Sequence, residues 1–402
     1  MITFNYKARD TSTNKIVRST IQGNSEAAAA RVLMAQGIVP LEMTPVGEGG
    51  LLSGLRSHVP AKEVVIFTRQ LSTMLNAGLP LAQSLSTVAE QTSNKTLKTI
   101  IADVVGSVNG GQPLSEALSK YPKVFNNVYI ALVQAGETSG TLDQSLARLA
   151  DQQEHDADQL SKIRGAMIYP AIVLVVIIAV VIFMMVSLIP QVTSMYDDLG
   201  QELPVTTKIL QAIIDFFAAF WWLIAVILGG LIFFARRWLA TDSGRRAWDT
   251  FKLNMPMFNA LFRKLYMARF SRTAQVLLES GVTMIETLKI SADAVNNVVV
   301  RDEILQGVGK VKNGKALSDA LSGQDYILPF VPQMIRIGET SGAIDAMLAK
   351  VADYYDKEVD NAIAAISTLI EPILMVAMAG MIGFIVLAVL LPIYSLSSMS
   401  TL

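Results

Sequence analysis

Phe67-Thr-Arg-Gln-Leu-Ser-Thr-Met-Leu-Asn-Ala-Gly78 and Phe270-Ser-Arg-Thr-Ala-Gln-Val-Leu-Leu-Glu-Ser-Gly281 are one phrase written twice, 203 residues apart. In the first copy Phe67, Leu71, Met74 and Leu75 are apolar at helical spacing. In the second, Phe270, Ala274, Leu277 and Leu278 are. A glycine closing such a run reads as a helix stop. Finding a repeat comes before naming any fold, because a duplicated unit fixes the architecture.

The duplication extends outward from these phrases. Gly111-Gln-Pro-Leu-Ser-Glu-Ala-Leu118 returns as Gly314-Lys-Ala-Leu-Ser-Asp-Ala-Leu321 at the same offset. Gly136-Glu-Thr-Ser-Gly140 returns as Gly338-Glu-Thr-Ser-Gly342, and Tyr169-Pro170 aligns with Glu371-Pro372, now 202 residues apart. Breaks at Gly78, Asn94, Gly110-Gly111, Pro122 and Gly136 divide the first unit into about six helices, and the second repeats the pattern.

Three stretches are long and apolar enough to cross about 30 Å of hydrocarbon, which takes roughly 20 helical residues. They are 170–190, 216–235 and 372–394, and none contains a charge. The predicted fold is therefore an all-α membrane protein. It has two repeated cytoplasmic six-helix domains, at 63–169 and 236–371, and three transmembrane helices. An external loop is expected over 191–215 and an external tail over 395–402. The unrepeated middle span supplies the return crossing that puts both soluble units on one side.

Orientation follows from basic flanks. Lys162 and Arg164 precede the first span, and Arg236, Arg237, Arg245, Arg246 and Lys252 follow the second. Asp197, Asp198, Glu202 and Asp215 dominate the loop between them. The last helix of each domain is expected to run on into the bilayer, kinked where Pro170 or Pro372 removes a backbone bond. Before the first domain, Phe4–Ala8 and Lys15–Gln22 alternate like strands and Ser25–Gln36 is an alanine-rich helix pattern. A small N-terminal α+β appendage over 1–44 is predicted, tethered by a glycine-rich linker over 45–62. The start lacks the apolar centre of a secretory signal, so it is expected to stay in the cytoplasm.

Composition excludes several functions. Thirty-three basic residues against 34 acidic ones leave a net charge of -1, so no basic field gathers nucleic acid. The 402 residues include no cysteine, which removes disulfides, thiolate metal sites and thiol nucleophiles. Gly307-Val-Gly-Lys310 fails as a phosphate-cradling loop, since Ile304 stands at the first glycine and Val311 at the magnesium ligand. His58 and His155 are the only histidines and read as solvated. No enzyme activity, metal or cofactor is predicted. A small membrane transporter is a distant alternative, and it needs polar groups that the spans do not carry.

The remaining polar candidates are structural or partner-binding. Gly136 reads as a helix stop, with Thr138 or Ser139 capping the next helix and Asp143 favouring its dipole. Glu137 and Glu339 are not needed for that break, so a partner contact or a hydrogen bond across helices is open for both. Asp151, Glu154, Asp156 and Asp158 recur as Asp353, Asp356, Glu358 and Asp360, either as a solvated face or as a docking surface. Glu371 is a carboxylate at a membrane boundary, read either as functional or as an interfacial cap.

Four motifs together carry a resemblance: FTRQLSTMLNAGLPL from Phe67, FSRTAQVLLESGVTM from Phe270, the doubled GETSG, and KVADYYDKEVDNAIAAISTLIEPILM from Lys350. With them the chain resembles, over nearly its whole length, the inner-membrane platform proteins of the type IV pilus PilC and type II secretion F family. The resemblance implies a multi-pass protein of the inner membrane that self-associates. It also implies that a hexameric cytoplasmic ATPase engages it, and that its movement lifts pilins from the bilayer into a filament beside other inner-membrane assembly proteins. The pilus branch is the expected one, and protein F of a type II secretion system is the alternative.

Overall fold

Both copies of the opening phrase are helical, and both helices end where a glycine takes a left-handed backbone, Gly78 at φ 82° and Gly281 at φ 82°. A residue with a side chain is strained there, so the glycine places the stop. The computed structural model describes residues 2–10, 16–23, 34, 38–45, 59–198, 205–256 and 258–399. The chain divides into two compact units, Met1–Glu63 with Ser93–Thr99, and Val64–Thr92 with Ile100–Leu402.

In the first unit, β1 (Ile2–Asp10), β2 (Ile16–Gly23) and β3 (Ile38–Pro45) form an antiparallel sheet in the order β2-β1-β3. Tyr6 stands opposite Ser19 on one side and Met43 on the other, and the β1–β3 register shifts between Lys7 and Ala8. The third strand was not expected. Pro40 obscures it, since proline weakens a strand pattern, and an edge strand beside a register shift tolerates the missing N–H. The helix expected over Ser25–Gln36 and most of the linker lie outside the described residues.

The second unit holds the second repeat and most of the first. The first runs through α1 (Ala61–Asn76), α2 (Leu81–Gln91), α3 (Lys95–Asn109), α4 (Leu114–Ser119), α5 (Asn127–Ser139) and α6 (Leu142–Phe183). A π-helical turn at Met184–Leu188 leads to α7 (Ile189–Asp198), α8 (Val205–Leu239) and α9 (Asp242–Asn254). The second repeat is α10 (Asn259–Glu279), α11 (Met284–Ala294), α12 (Val298–Lys312), α13 (Leu317–Leu321), α14 (Phe330–Ser341) and α15 (Ile344–Met399). Gly307 to Lys310 therefore lies inside α12, where a Cβ on Gly307 would stand 2.7 Å from the Leu321 side chain.

Three helices, over Leu142–Phe183, Ala219–Leu239 and Ile344–Gly383, are long and apolar enough to cross a membrane. Their apolar side chains point outward, as the exposure of Phe234 and Val376 shows, which suits lipid and not water. Helix α6 passes through Pro170 and α15 through Pro372 without interruption, so each proline costs a backbone bond and not the helix. In the segment between the first two apolar stretches, Gln191–Asp198 and Val205–Asp215 contain no helix breaker and are helical, and α15 runs to Met399. The second repeat is also preceded by α9, which has no counterpart among the described residues before the first.

The cores show how the copies diverge. Phe67, Phe125 and Tyr129 stack in the first, with ring centroids 5.9 and 4.9 Å apart, and the Thr68 hydroxyl donates to the Tyr129 oxygen at 3.2 Å. One residue fewer separates Leu321 from Gly338 than Leu118 from Gly136, and the two later aromatic positions become Ile327 and Val331, both buried. Each such side chain contributes about 1.5–3 kcal/mol on burial.

The Gly-Glu-Thr-Ser-Gly motif also needs correction. Gly136 and Gly338 lie inside α5 and α14, and the helices end at Gly140 and Gly342, both left-handed at φ 73°. Thr138 and Ser139 bond back to carbonyls of their own helix and do not cap the next. Gly136 is needed for another reason: an added Cβ would lie 2.7 Å from the Ser145 Cβ, and one on Gly338 would lie 2.7 Å from the Ile344 Cα. The glycines allow α5 to cross α6, and α14 to cross α15, at backbone contact.

The two kinds of glycine predict opposite outcomes. Gly338→Ala should destabilise by about 1–3 kcal/mol through overpacking. Gly309→Ala, in α12 with nothing within 4 Å of its Cβ position, should stabilise by about 0.5–1 kcal/mol. Thermal melting of the two variants in detergent measures both.

Candidate functional site

The stalk helices α6 and α15 join each helical repeat to its apolar stretch, and the repeated polar residues gather along them. Arg69, third in the Phe-Thr-Arg-Gln phrase, donates from Nη2 to Asp151 at 2.5 Å and from Nε and Nη2 to Glu154 at 2.6 Å. Arg272, its counterpart, donates from Nη2 to Asp353 at 2.6 Å and Asp356 at 2.7 Å. Each pair of carboxylates is three residues apart, so both stand on one face of the stalk and one planar guanidinium spans them.

Asp151, Glu154, Asp353 and Asp356 are thus paired within their own repeats, while Asp158 is exposed. Glu358 accepts from Lys264 at 2.6 Å, and Asp360 accepts from Lys162 at 2.7 Å. The two clamps differ in strength. Arg69 is 36% exposed and Arg272 is 21%, while Asp356 is only 15% exposed, so the second clamp works in a less polar setting.

Glu137 and Glu339 make the hydrogen bond across helices that had been left open. The Glu137 carboxylate accepts from the Leu114 N–H, from the Ser115 N–H at 3.0 Å and from the Ser115 hydroxyl. Glu339 accepts from the Leu317 N–H at 2.5 Å and the Ser318 hydroxyl at 2.6 Å. These donors open α4 and α13, and their own preceding residues provide no side-chain cap. A carboxylate from a neighbouring helix therefore caps a helix of six or five residues.

A second polar row ties the repeats to each other. Arg148 donates to the Glu279 carbonyl at 2.7 Å, Gln152 to the Thr273 hydroxyl at 3.0 Å, and Gln159 to Asp356 at 2.5 Å. His155 Nε2 lies 3.2 Å from Asp356, so this histidine is an inter-repeat partner and not a solvated one. His58 lies outside the described residues. The hydrogen bond to Asp356 raises the His155 pKa, against the effect of burial. Burial pushes Asp356 up, but hydrogen bonds from His155 and Arg272 hold it below its ordinary value. Asp156 is pushed up by burial, with Arg269 opposing.

A polar cleft of 730 Å³ opens between the repeats, with Asp156, Arg269, Gln152 and Gln153 on its wall. The Oε1 atoms of both glutamines are buried with no hydrogen-bond partner. Among the described residues no cluster of His, Asp and Glu could hold a metal ion. Glu371 is exposed on α15, one residue before Pro372. Most of the site was hidden from sequence reasoning, because Arg69 and Glu154 are 85 residues apart and only folding shows that they meet.

Comparison with known proteins completes the description. The family model for "Type II secretion system (T2SS), protein F" matches twice, at residues 67–190 and 270–392, and the model for that protein's N-terminal domain matches 1–44. The type IV pilus assembly protein PilC of Thermus thermophilus is 40% identical over 98% of both chains. PilC of Pseudomonas aeruginosa is 33% identical over 91% of this chain and 98% of its own. The type II secretion system protein F of the same organism is 32% identical over 99% of this chain and all of its own.

The clamps and the histidine contact give two expected outcomes. Arg272→Met should destabilise by about 1–3 kcal/mol, because it takes a charged donor from the shielded Asp356, which keeps His155 and Gln159, while Asp353 is exposed. Arg69→Met should cost about 1 kcal/mol or less, because its pairs are exposed. For the histidine, a raised folded pKa means that its contribution is complete below about pH 6.5 and is lost as pH rises through the raised value. The lowered Asp356 value means the reverse at the acid end, with stability lost as pH falls through it. Melting midpoints should therefore drop as pH rises above about 6.5, and His155→Gln should flatten that drop.

Proposed function

Because this chain belongs to the type II secretion system protein F family, we propose that it is the inner-membrane platform protein of a type IV pilus machine. In this reading a hexameric cytoplasmic ATPase engages the two soluble repeats. Their movement then passes along α6 and α15 into the membrane, where pilin subunits are lifted into the growing filament. Self-association and contact with other inner-membrane assembly proteins belong to the same proposal.

One observation carries this. Each stalk is held by its own arginine inside a folded repeat and continues as unbroken helix into an apolar stretch. A repeat cannot turn or shift without moving the helix it is clamped to. The Gly-Glu-Thr-Ser-Gly and acidic positions act here as joints that keep each repeat rigid, while the basic flanks support a cytoplasmic placement of both repeats. The N-terminal sheet, with the helix expected beside it, is taken as a small α+β appendage. A second reading, platform protein of a type II secretion system, is supported by the full-length similarity to protein F of Pseudomonas aeruginosa.

Deleting the gene, with piliation scored by electron microscopy and secretion assayed in parallel, separates the readings. Lost filaments with intact secretion are expected. Lost secretion alone moves the protein to the secretion branch, and no change in either overturns both. Purified protein should turn over nothing by itself and should alter the turnover of the added ATPase.

A further inference from the structure

Two repeats of one fold packed against each other through unlike faces leave one copy of each face unused. The face of the first repeat that meets the second is the α6 stripe Arg148, Gln152, His155, Gln159 and Lys162. Its counterpart 202 residues on is the α15 stripe Lys350, Tyr354, Lys357, Asn361 and Ala364, and every one of these is exposed. Tyr354 alone is 46% exposed, a large aromatic surface to leave in water.

The receiving face is also duplicated. On the second repeat it consists of Thr273, the end of α10, Asp356 and Asp360. The matching positions on the first repeat are Gln70, Asn76, Glu154 and Asp158, none of them buried. Inside the chain the polarity is base on the stripe and acid on the receiver, as in Lys162 with Asp360 and His155 with Asp356. The unused faces keep that polarity at Lys357, which stands in for His155 opposite Glu154, and Lys350 stands in for Arg148, while Ala364 replaces Lys162 opposite Asp158. Asp356 holds Arg272 and His155 at once. A clamped Glu154 can likewise accept a neighbour's base.

Membrane geometry permits the operation to be repeated. The contacts His155–Asp356 and Lys162–Asp360 advance in the same direction along α6 and α15, so the stalks run parallel and both continue toward the bilayer. The step that carries the first repeat onto the second keeps the membrane end of each stalk on the same side. One more step sets down a further membrane-inserted copy.

We propose that the second repeat of one copy docks on the first repeat of another copy of this chain, through the α15 stripe and the α1–α6 receiving face. The contact is head to tail, and it closes into a ring where the rotation between copies divides a full turn. This rests on the self-association proposed above and names its surfaces.

The cysteine-free chain makes the test direct. Full-length Gln70→Cys and Tyr354→Cys variants, separately tagged, are co-expressed and treated in membranes with a short bismaleimide. A cross-linked dimer carrying both tags is expected, and neither variant expressed alone should give it. Gln152→Cys with Thr273→Cys in one chain reports the internal contact and a folded protein. Lys350→Glu with Lys357→Glu, both on exposed side chains, should reduce the mixed dimer at least about fivefold, as a loss of about 1 kcal/mol does. Co-purifying copies without the mixed cross-link, or cross-links of like variants alone, overturn these surfaces and leave self-association standing. Copies that do not co-purify overturn both.

Discussion

A guanidinium held between two carboxylates on adjacent turns of a stalk is the contact on which the rest of each repeat depends. It ties the first helix of the repeat to the last, closing the chain of helices on itself. Without that closure the stalk would be joined to its domain mainly by apolar packing, which is non-directional and sets no angle. Charge-assisted bonds of fixed fork geometry do set one. The tight glycine crossing of α5 over α6 and the carboxylate caps on α4 and α13 then hold the intervening helices to the same frame.

The two repeats use this frame under different conditions. The first has an aromatic core and an exposed clamp. The second replaces two aromatics by Ile327 and Val331, buries its clamp more deeply, and shares Asp356 with the histidine of its neighbour. The duplicate is therefore not a copy in energetic terms. The second repeat is held inside an interface that the first contributes to, and its charges are more costly to disturb.

Periodicity made the repeat, the three apolar helices and the stops at Gly78 and Gly281 legible in the sequence, because these depend on neighbours within a few turns. The clamp was not, because four helices lie between its partners. Acidic runs on a helix look alike whether they face water or a guanidinium, and only the fold distinguishes them. Glu137 could be read as surplus to the helix break, yet nothing local shows that it caps α4. The third strand was hidden by Pro40.

Stalk length gives the clamp mechanical leverage. From Asp353, where Arg272 grips α15, to Met399 at its end is 46 residues of unbroken helix, a lever arm of about 69 Å at 1.5 Å per residue. A tilt of about 5° at the grip displaces the far end by about 6 Å, close to one helical pitch. Gearing of this ratio turns a side-chain-sized adjustment in the soluble repeat into a stroke as long as a turn of helix, with no hinge needed along the way.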